Sequence, residues 1–304
     1  MSQKPPRPGS RGDRPDTRPP AEGKRPDGGS RPRASGDRGP GDRGRGDRGQ
    51  GDRGRGDGAS RPPQPPPDVA YLWGTHAVVE ALGSHRRKLL RLSATEGAAE
   101  RVAGLAAERG VPVVIVPGDG IAARLPRDAV HQGLLLETRR LEPIALEDVP
   151  DDGIVLLLDQ ITDPHNVGAI LRTAAAFGVS ALVMTDRHAP DLSGTLAKAA
   201  SGGLEHVPVA LVVNLARTLD KLGERGFFRV GLDSAGEASL DDMELPRPLA
   251  LVLGAEGSGL RRLTRERCDA MARLDMPGPI KSLNVSNACA VALTVARLGG
   301  RSRP

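Results

Sequence analysis

Three stretches of the 304-residue chain hold polar residues whose types and spacing could do chemistry. The first is Leu158–Val179, LDQITDPHNVGAILRTAAAFGV, in which Arg172 follows Asn166 by six residues. Asn166 stands where a cap for the coming helix is expected. Arg172 falls off the apolar stripe of Val167, Ile170, Leu171, Ala174 and Phe177, near the small residues Gly168, Ala169 and Ala176. A helical side chain leans toward its helix start, so this guanidinium would lie over small residues that leave space for a partner. A solvated surface charge is the other reading. The second stretch is Leu251–Leu260, LVLGAEGSGL, with Gly254, Gly257 and Gly259 after an apolar run. Glycines there let a ligand approach the backbone, and free amides at a helix start favour anions; a structural turn is the alternative. No Gly-Lys-Ser/Thr follows, so it is not a P-loop, and G-x-x-G-x-G is not the dinucleotide fingerprint. The third stretch is Ile280–Leu298, a polar loop with Lys281, Ser282 and Asn284 that runs into a helix of small residues. Asn284 or Ser286 can cap that helix and Gly299 can end it. Lys198–His206, KAASGGLEH, is a weaker signal, with Glu205 as a buried or site carboxylate.

The elements that must position these residues follow from periodicity. Ile154–Leu158 is a continuous apolar run, as expected of a strand buried on both faces. Ser180–Met184, Val207–Val212, Phe227–Leu232, Leu249–Leu253 and Ala270–Leu274 are further strands. Helical patterns over Asn166–Phe177, Gly194–Ala200, Asn214–Glu224 and Gly259–Arg267 lie between them. This alternation predicts an α/β fold with a mostly parallel sheet covered on both faces, whose ligands bind beyond the carboxyl ends of the strands. Residues 70–142 read as a smaller α/β unit: a helix from Thr75, strands over Leu89–Ser93, Pro112–Val116 and His131–Arg139, and helices over Thr95–Arg109 and Ile121–Leu125. Residues 143–152, with Pro143 and Pro150, read as a linker, and 153–304 as the second unit.

Residues 1–69 differ in kind. They are Arg, Gly, Pro, Asp and Ser, with GDRG recurring from Gly36, Gly41, Gly46 and Gly51. They cannot bury enough apolar surface to offset the entropy of ordering, so a disordered tail is expected. Sixteen Lys and Arg against ten Asp and Glu leave +6 there, against +5 for the whole chain, so the remainder sums to −1. The tail is therefore either a sequence-independent RNA or DNA contact or a solubilising extension. The N-terminus shows no apolar signal segment, no run approaches the roughly 18 apolar residues of a membrane helix, and Cys268 and Cys289 lack metal-ligand spacing. A cytoplasmic protein without a metal is expected.

Asn166 to Arg172, Gly254 to Leu260 and Ser282-Leu283-Asn284 resemble, in type, order and spacing, the three motifs of the SpoU/TrmH RNA 2′-O-ribose methyltransferases of the SPOUT class. The resemblance covers about residues 153–298. The preceding unit, from Trp73-Gly74-Thr75-His76 to His131-Gln132-Gly133, resembles that family's RNA substrate-binding domain, and the two together are most similar to the RlmB subgroup. The resemblance implies a C-terminal α/β-knot domain with a deep trefoil knot, S-adenosylmethionine as cofactor, a homodimer whose sites draw on both chains, and methylation of a guanosine ribose in large-subunit ribosomal RNA. It places Gly254, Leu274 and Leu283 against the adenosyl part through backbone groups. It places Asn166, Arg172, Glu256, Ser282 and Asn284 at the reaction site, with Arg172 either the base for the 2′-hydroxyl or a stabiliser of the alkoxide or a phosphate. Three departures stand out: Asp275 where the family usually has Pro, Lys281 before Ser282, and the stiff pair Pro277 and Pro279. The competing readings are the same chemistry on transfer RNA, a non-catalytic RNA-binding or assembly protein, and, more distantly, a redox enzyme.

Overall fold

A computed structural model of the chain describes residues 65–299. The tail expected over 1–69 lies, as far as residue 64, outside the described residues.

The N-terminal lobe contains β1 (Val69–Trp73), α1 (Thr75–Gly83), β2 (Leu89–Ala94), α2 (Glu96–Glu108), β3 (Val113–Ile115), α3 (Gly118–Ala122) and β4 (Leu134–Arg139). Its sheet runs β1-β4-β2-β3; β4 is antiparallel to β1 and β2, and β2 is parallel to β3. Sequence patterning leaves β1 unassigned. It becomes a strand because Val69–Trp73 has a five-residue antiparallel partner in Leu135–Arg139, a long-range pairing that local propensity does not encode.

The C-terminal lobe contains β5 (Ile154–Asp159), α4 (Pro164–Ala176), β6 (Ala181–Thr185), α5 (Gly194–Ala200), α6 (Gly203–His206), β7 (Val209–Val212), α7 (Leu215–Glu224), β8 (Phe228–Leu232), β9 (Ala238–Ser239), β10 (Leu249–Gly254), α8 (Arg262–Glu266), β11 (Ala270–Arg273) and α9 (Val285–Gly299). The seven strands run β7-β6-β5-β10-β8-β11-β9, every pair parallel. Side chains of β5 alternate between two cores. Ile154, Leu156 and Leu158 join α4 and α9, whereas Val155 and Leu157 join Leu215, Leu219 and Leu222 of α7. All of β5 is buried, which explains its unbroken apolar sequence. The expected linker is partly ordered: Ile144 bridges Ala210 at the sheet edge, and Leu146–Asp148 form a short 3₁₀ turn. No helix among the described residues is long and apolar enough to cross a membrane.

The central strands β5, β10 and β8 end side by side, at Asp159, Gly254 and Leu232. The loops that leave these carboxyl ends carry the residues singled out above.

Candidate active site

Helix α4 begins two residues earlier than its sequence suggests. Asp163 is the cap: its side chain accepts from His165 N at 3.1 Å, and Pro164 follows at the first helical position, where its fixed φ suits the helix and its missing N–H costs nothing. The cap role expected of Asn166 is thereby overturned. Asn166 sits in the first turn with its amide free to face other loops.

Asn284 does cap its helix. Its Oδ1 accepts from Ser286 N at 2.9 Å and Ala288 N reaches its carbonyl at 2.9 Å. With Oδ1 held by the helix, Nδ2 points the other way. It donates to Glu256 Oε1 at 2.8 Å and to Asn166 Oδ1 at 3.0 Å. Glu256 Oε1 also accepts from Val285 N at 3.2 Å and from Asn166 Nδ2 at 3.4 Å. One carboxylate oxygen thus joins the three stretches, drawing on α4, the loop after β10 and the start of α9. The Gly254–Leu260 loop brings Glu256 there because β10 lies beside β5.

The loop itself is tightly made. A Cβ at Gly254 would lie 2.6 Å from Leu260 N, so this glycine makes room for its own loop, closed by the Ala255–Gly259 bridge, rather than for a ligand. Gly257, at φ 80°, has open space beside it. The following helix starts at Arg262, not Gly259, because Arg261 turns back to the buried Asp159: its N donates to Oδ2 at 2.9 Å and its Nε to Oδ1 at 2.6 Å. The expected anion site of free helix amides is therefore absent from this loop.

A cavity of about 350 Å³ opens beneath the loop, within the range of small-molecule sites. Gly254, Leu274 and Leu283 all line it, as do Glu256 and Ser282. Leu232, Leu253 and Met276 add apolar wall, and Asp233 and Ser258 add polar groups. Sequence reasoning missed Asp233. It stands just past the carboxyl end of β8, is held by Arg265 Nη2 at 2.5 Å, and could have been found from the strand-end rule.

Two of the three departures have structural partners. Lys281 Nζ donates to Met276 O at 2.6 Å, closing the 276–281 loop under the cavity. Asp275 accepts from Arg273 Nε at 2.8 Å, and hydrogen bonds from Ser239 and Arg273 hold its carboxyl below the usual range.

Arg172 is not drawn into the cluster. It is exposed on α4, and its side chain makes no hydrogen bond or ion pair among the described residues. The space expected over Gly168 is filled: a Cβ there would lie 2.7 Å from Leu196 O and 3.0 Å from Ala200 N of α5. That glycine serves helix packing, and the guanidinium faces outward.

These features fit S-adenosylmethionine. A cavity of this size with an apolar wall suits an adenosyl group, and the acidic Asp233 and Glu256 suit a sulfonium cation. The profile of the SpoU rRNA Methylase family matches residues 153–294. The profile described as RNA 2'-O ribose methyltransferase substrate binding matches residues 71–144. The 23S rRNA (guanosine-2'-O-)-methyltransferase RlmB of Pseudomonas putida is 40% identical over 238 residues, covering 73% of this chain and 93% of that protein. YacO of Bacillus subtilis, whose name offers tRNA and rRNA as substrates of a TrmH family methyltransferase, is 38% identical over 234 residues with the same coverage. The solved rRNA methyltransferase of Sinorhizobium meliloti, with AdoMet bound, superposes with a TM-score of 0.65 at 25% identity, covering 76% of this chain and 87% of that one. With its two lobes matched by the two profiles and Gly254, Glu256, Ser282 and Leu283 lining one cavity, the chain belongs to the SpoU/TrmH family of RNA 2′-O-ribose methyltransferases and uses S-adenosylmethionine.

Proposed function

We propose that this enzyme methylates the 2′-hydroxyl of a guanosine in large-subunit ribosomal RNA. The observation that carries the reading is the junction of Asn166, Glu256 and Asn284 beside the cavity. The choice of RNA and base is supported by the printed function of the Pseudomonas putida relative. Residues 70–142 serve as the RNA substrate-binding domain, 143–152 as the linker and 153–304 as the methyltransferase domain.

S-adenosylmethionine, when bound, supplies a methyl group activated by its sulfonium. Backbone groups of Gly254, Leu274 and Leu283 hold the adenosyl part, and Ser282 and Glu256 shape the reacting end. Glu256 Oε1 is committed to three N–H donors, so the carboxylate is fixed in place before RNA arrives. Among the described residues Arg172 is a forked cation with no ion-pair partner. A guanidinium is almost always protonated, so its role here is to stabilise the oxygen as its proton leaves, or to grip the neighbouring phosphate.

The working unit is a homodimer, with Arg172 completing a site on the partner chain. Two features support this: among the described residues Arg172 makes no side-chain hydrogen bond or ion pair to the cluster, and α9 exposes Val291 and Leu298 on one stripe. The family's trefoil knot is part of the same reading, supported by Met276, Lys281, Ser282, Leu283 and Val285 lining one cavity with residues 254–259. A ribosomal RNA substrate places the enzyme in the cytoplasm.

The test is tritium transfer from labelled S-adenosylmethionine to unmodified large-subunit ribosomal RNA and to transfer RNA, by wild type and Arg172→Ala. Label mapped to a guanosine ribose of ribosomal RNA, lost in the variant with cofactor affinity kept, is the expected result. Label in transfer RNA alone overturns the substrate, and equal loss of turnover and cofactor binding overturns the role of Arg172.

A further inference from the structure

The two lobes meet at α5 and α6, and the meeting is built from buried polar groups. Arg87, between α1 and β2, and Glu205, on α6, are 4% and 5% exposed. Arg87 Nε donates to Glu205 Oε1 at 2.6 Å. Among the described residues, Arg87 Nη1 and Nη2 and Glu205 Oε2 have no hydrogen-bond partner. A buried pair that leaves three polar atoms unpartnered is a poor source of stability, because desolvation consumes much of the Coulombic gain. The best-attested use of such groups is to fix one register among several.

Around this pair, motif residues of the N-terminal lobe turn toward the C-terminal lobe. Gln132, at a left-handed φ of 53°, accepts through Oε1 from Thr75 N at 2.9 Å and from Lys198 Nζ of α5 at 3.3 Å. A non-glycine residue held there points to a constrained position. The Trp73 ring lies against Gly194 at the start of α5. The seat is also continuous with α4: a Cβ at Gly203 of α6 would lie 2.9 Å from Arg172 N, and one apolar cluster runs from Val78 and Leu82 through Leu196 to Leu171.

We propose that Arg87 and Glu205 are a positioning pair that seats the RNA-binding lobe on α5–α6 and so sets where bound RNA meets α4 and Arg172. The proposal rests on the RNA-methylating function above. Neither residue touches RNA or cofactor; each acts through the lobe's placement.

The experiment uses the full chain with Arg87→Met, Glu205→Gln and the double variant Arg87→Met/Glu205→Met. Misplacement by about 1 Å costs up to roughly a hundredfold in rate. Arg87→Met should therefore lower kcat/KM for ribosomal RNA by about tenfold to a hundredfold. Its S-adenosylmethionine Kd should stay unchanged, and its small-angle scattering should show a loosened lobe. Glu205→Gln, which keeps an acceptor for Arg87 Nε, is the milder change and carries the test if Arg87→Met does not fold. The double variant leaves no buried charge unpaired and should recover stability to urea, but with the register no longer fixed its kcat/KM should stay low, and full recovery of kcat/KM overturns the proposal. An unchanged kcat/KM in the single variants, or a parallel loss of cofactor binding, overturns the proposal. If wild type methylates no RNA, the function above fails, while scattering still reports the seat: wild-type compactness in the singles would then overturn it separately.

Discussion

Asn284 has two jobs on two atoms, and one isosteric change separates them. Asn284→Asp keeps an oxygen to accept from Ser286 N, and Asp caps helices as well as Asn. It replaces Nδ2 by a second carboxylate oxygen, 2.8 Å from Glu256 Oε1 and 3.0 Å from Asn166 Oδ1. Two hydrogen bonds are lost, at about 1–2 kcal/mol together. Two like charges at that distance repel by roughly 1.5 kcal/mol in water and about 6 kcal/mol at an effective dielectric of 20. The cluster is exposed, so the lower figure governs, and a total cost of about 2–4 kcal/mol is expected at pH 8. Asn284→Ala loses the same two hydrogen bonds and the cap as well, about 2–3 kcal/mol together, but carries no repulsion. Urea denaturation should therefore place both variants below wild type at pH 8, and only the Asn284→Asp gap should depend on pH. The gap between Asn284→Asp and wild type should narrow toward pH 5, where a shared proton can bridge the pair. Methyl transfer should collapse in Asn284→Asp, since the loops bearing Asn166 and Glu256 separate. Wild-type turnover in Asn284→Asp at pH 8, or a stability gap that does not change with pH, would refute the reasoning.

Three further outcomes are expected. Gly254→Ala should cost about 1–3 kcal/mol from forced overpacking against Leu260 N, and isothermal titration should show cofactor affinity falling with it as the loop deforms. Burial pushes the thiols of Cys268 and Cys289 up to about 12, so a disulfide reagent at pH 8 should label the native protein slowly and the urea-unfolded protein at once. The Arg229 guanidinium holds the Asp269 carboxyl below its ordinary range, through bonds of 2.5 and 2.9 Å. A depressed folded value means the stabilisation is complete above the unfolded carboxylate pKa near 4 and is lost as pH falls through the folded value. Asp269→Asn should therefore cost about 1 kcal/mol at pH 7 after screening, with thermal melts converging with wild type in acid.

Much of this enzyme follows from local sequence. The apolar run Ile154–Leu158, the stripe of α4 and the small-residue helix α9 are written in periodicity, because a strand buried on both faces and a half-buried helix each demand a distinct spacing. Asn166 and Asn284 are visible as polar residues at element ends, whereas Glu256 is singled out only by the family resemblance. What local sequence does not hold is who meets whom. Asp163 rather than Asn166 caps α4, because Pro164 fixes where the helix starts, and this frees Asn166 for the Glu256 junction. Gly254 serves its own loop and Gly168 serves α5, since only the packed neighbours reveal which side of a glycine is crowded. Asp233 enters the cavity, and β1 becomes a strand, through partners distant in sequence. The Arg87–Glu205 pair spans 118 residues between lobes that each look complete alone. Such contacts are settled by sheet order and helix packing: the chain's own periodicity specifies which elements form, but only their assembly decides which side chains share a site.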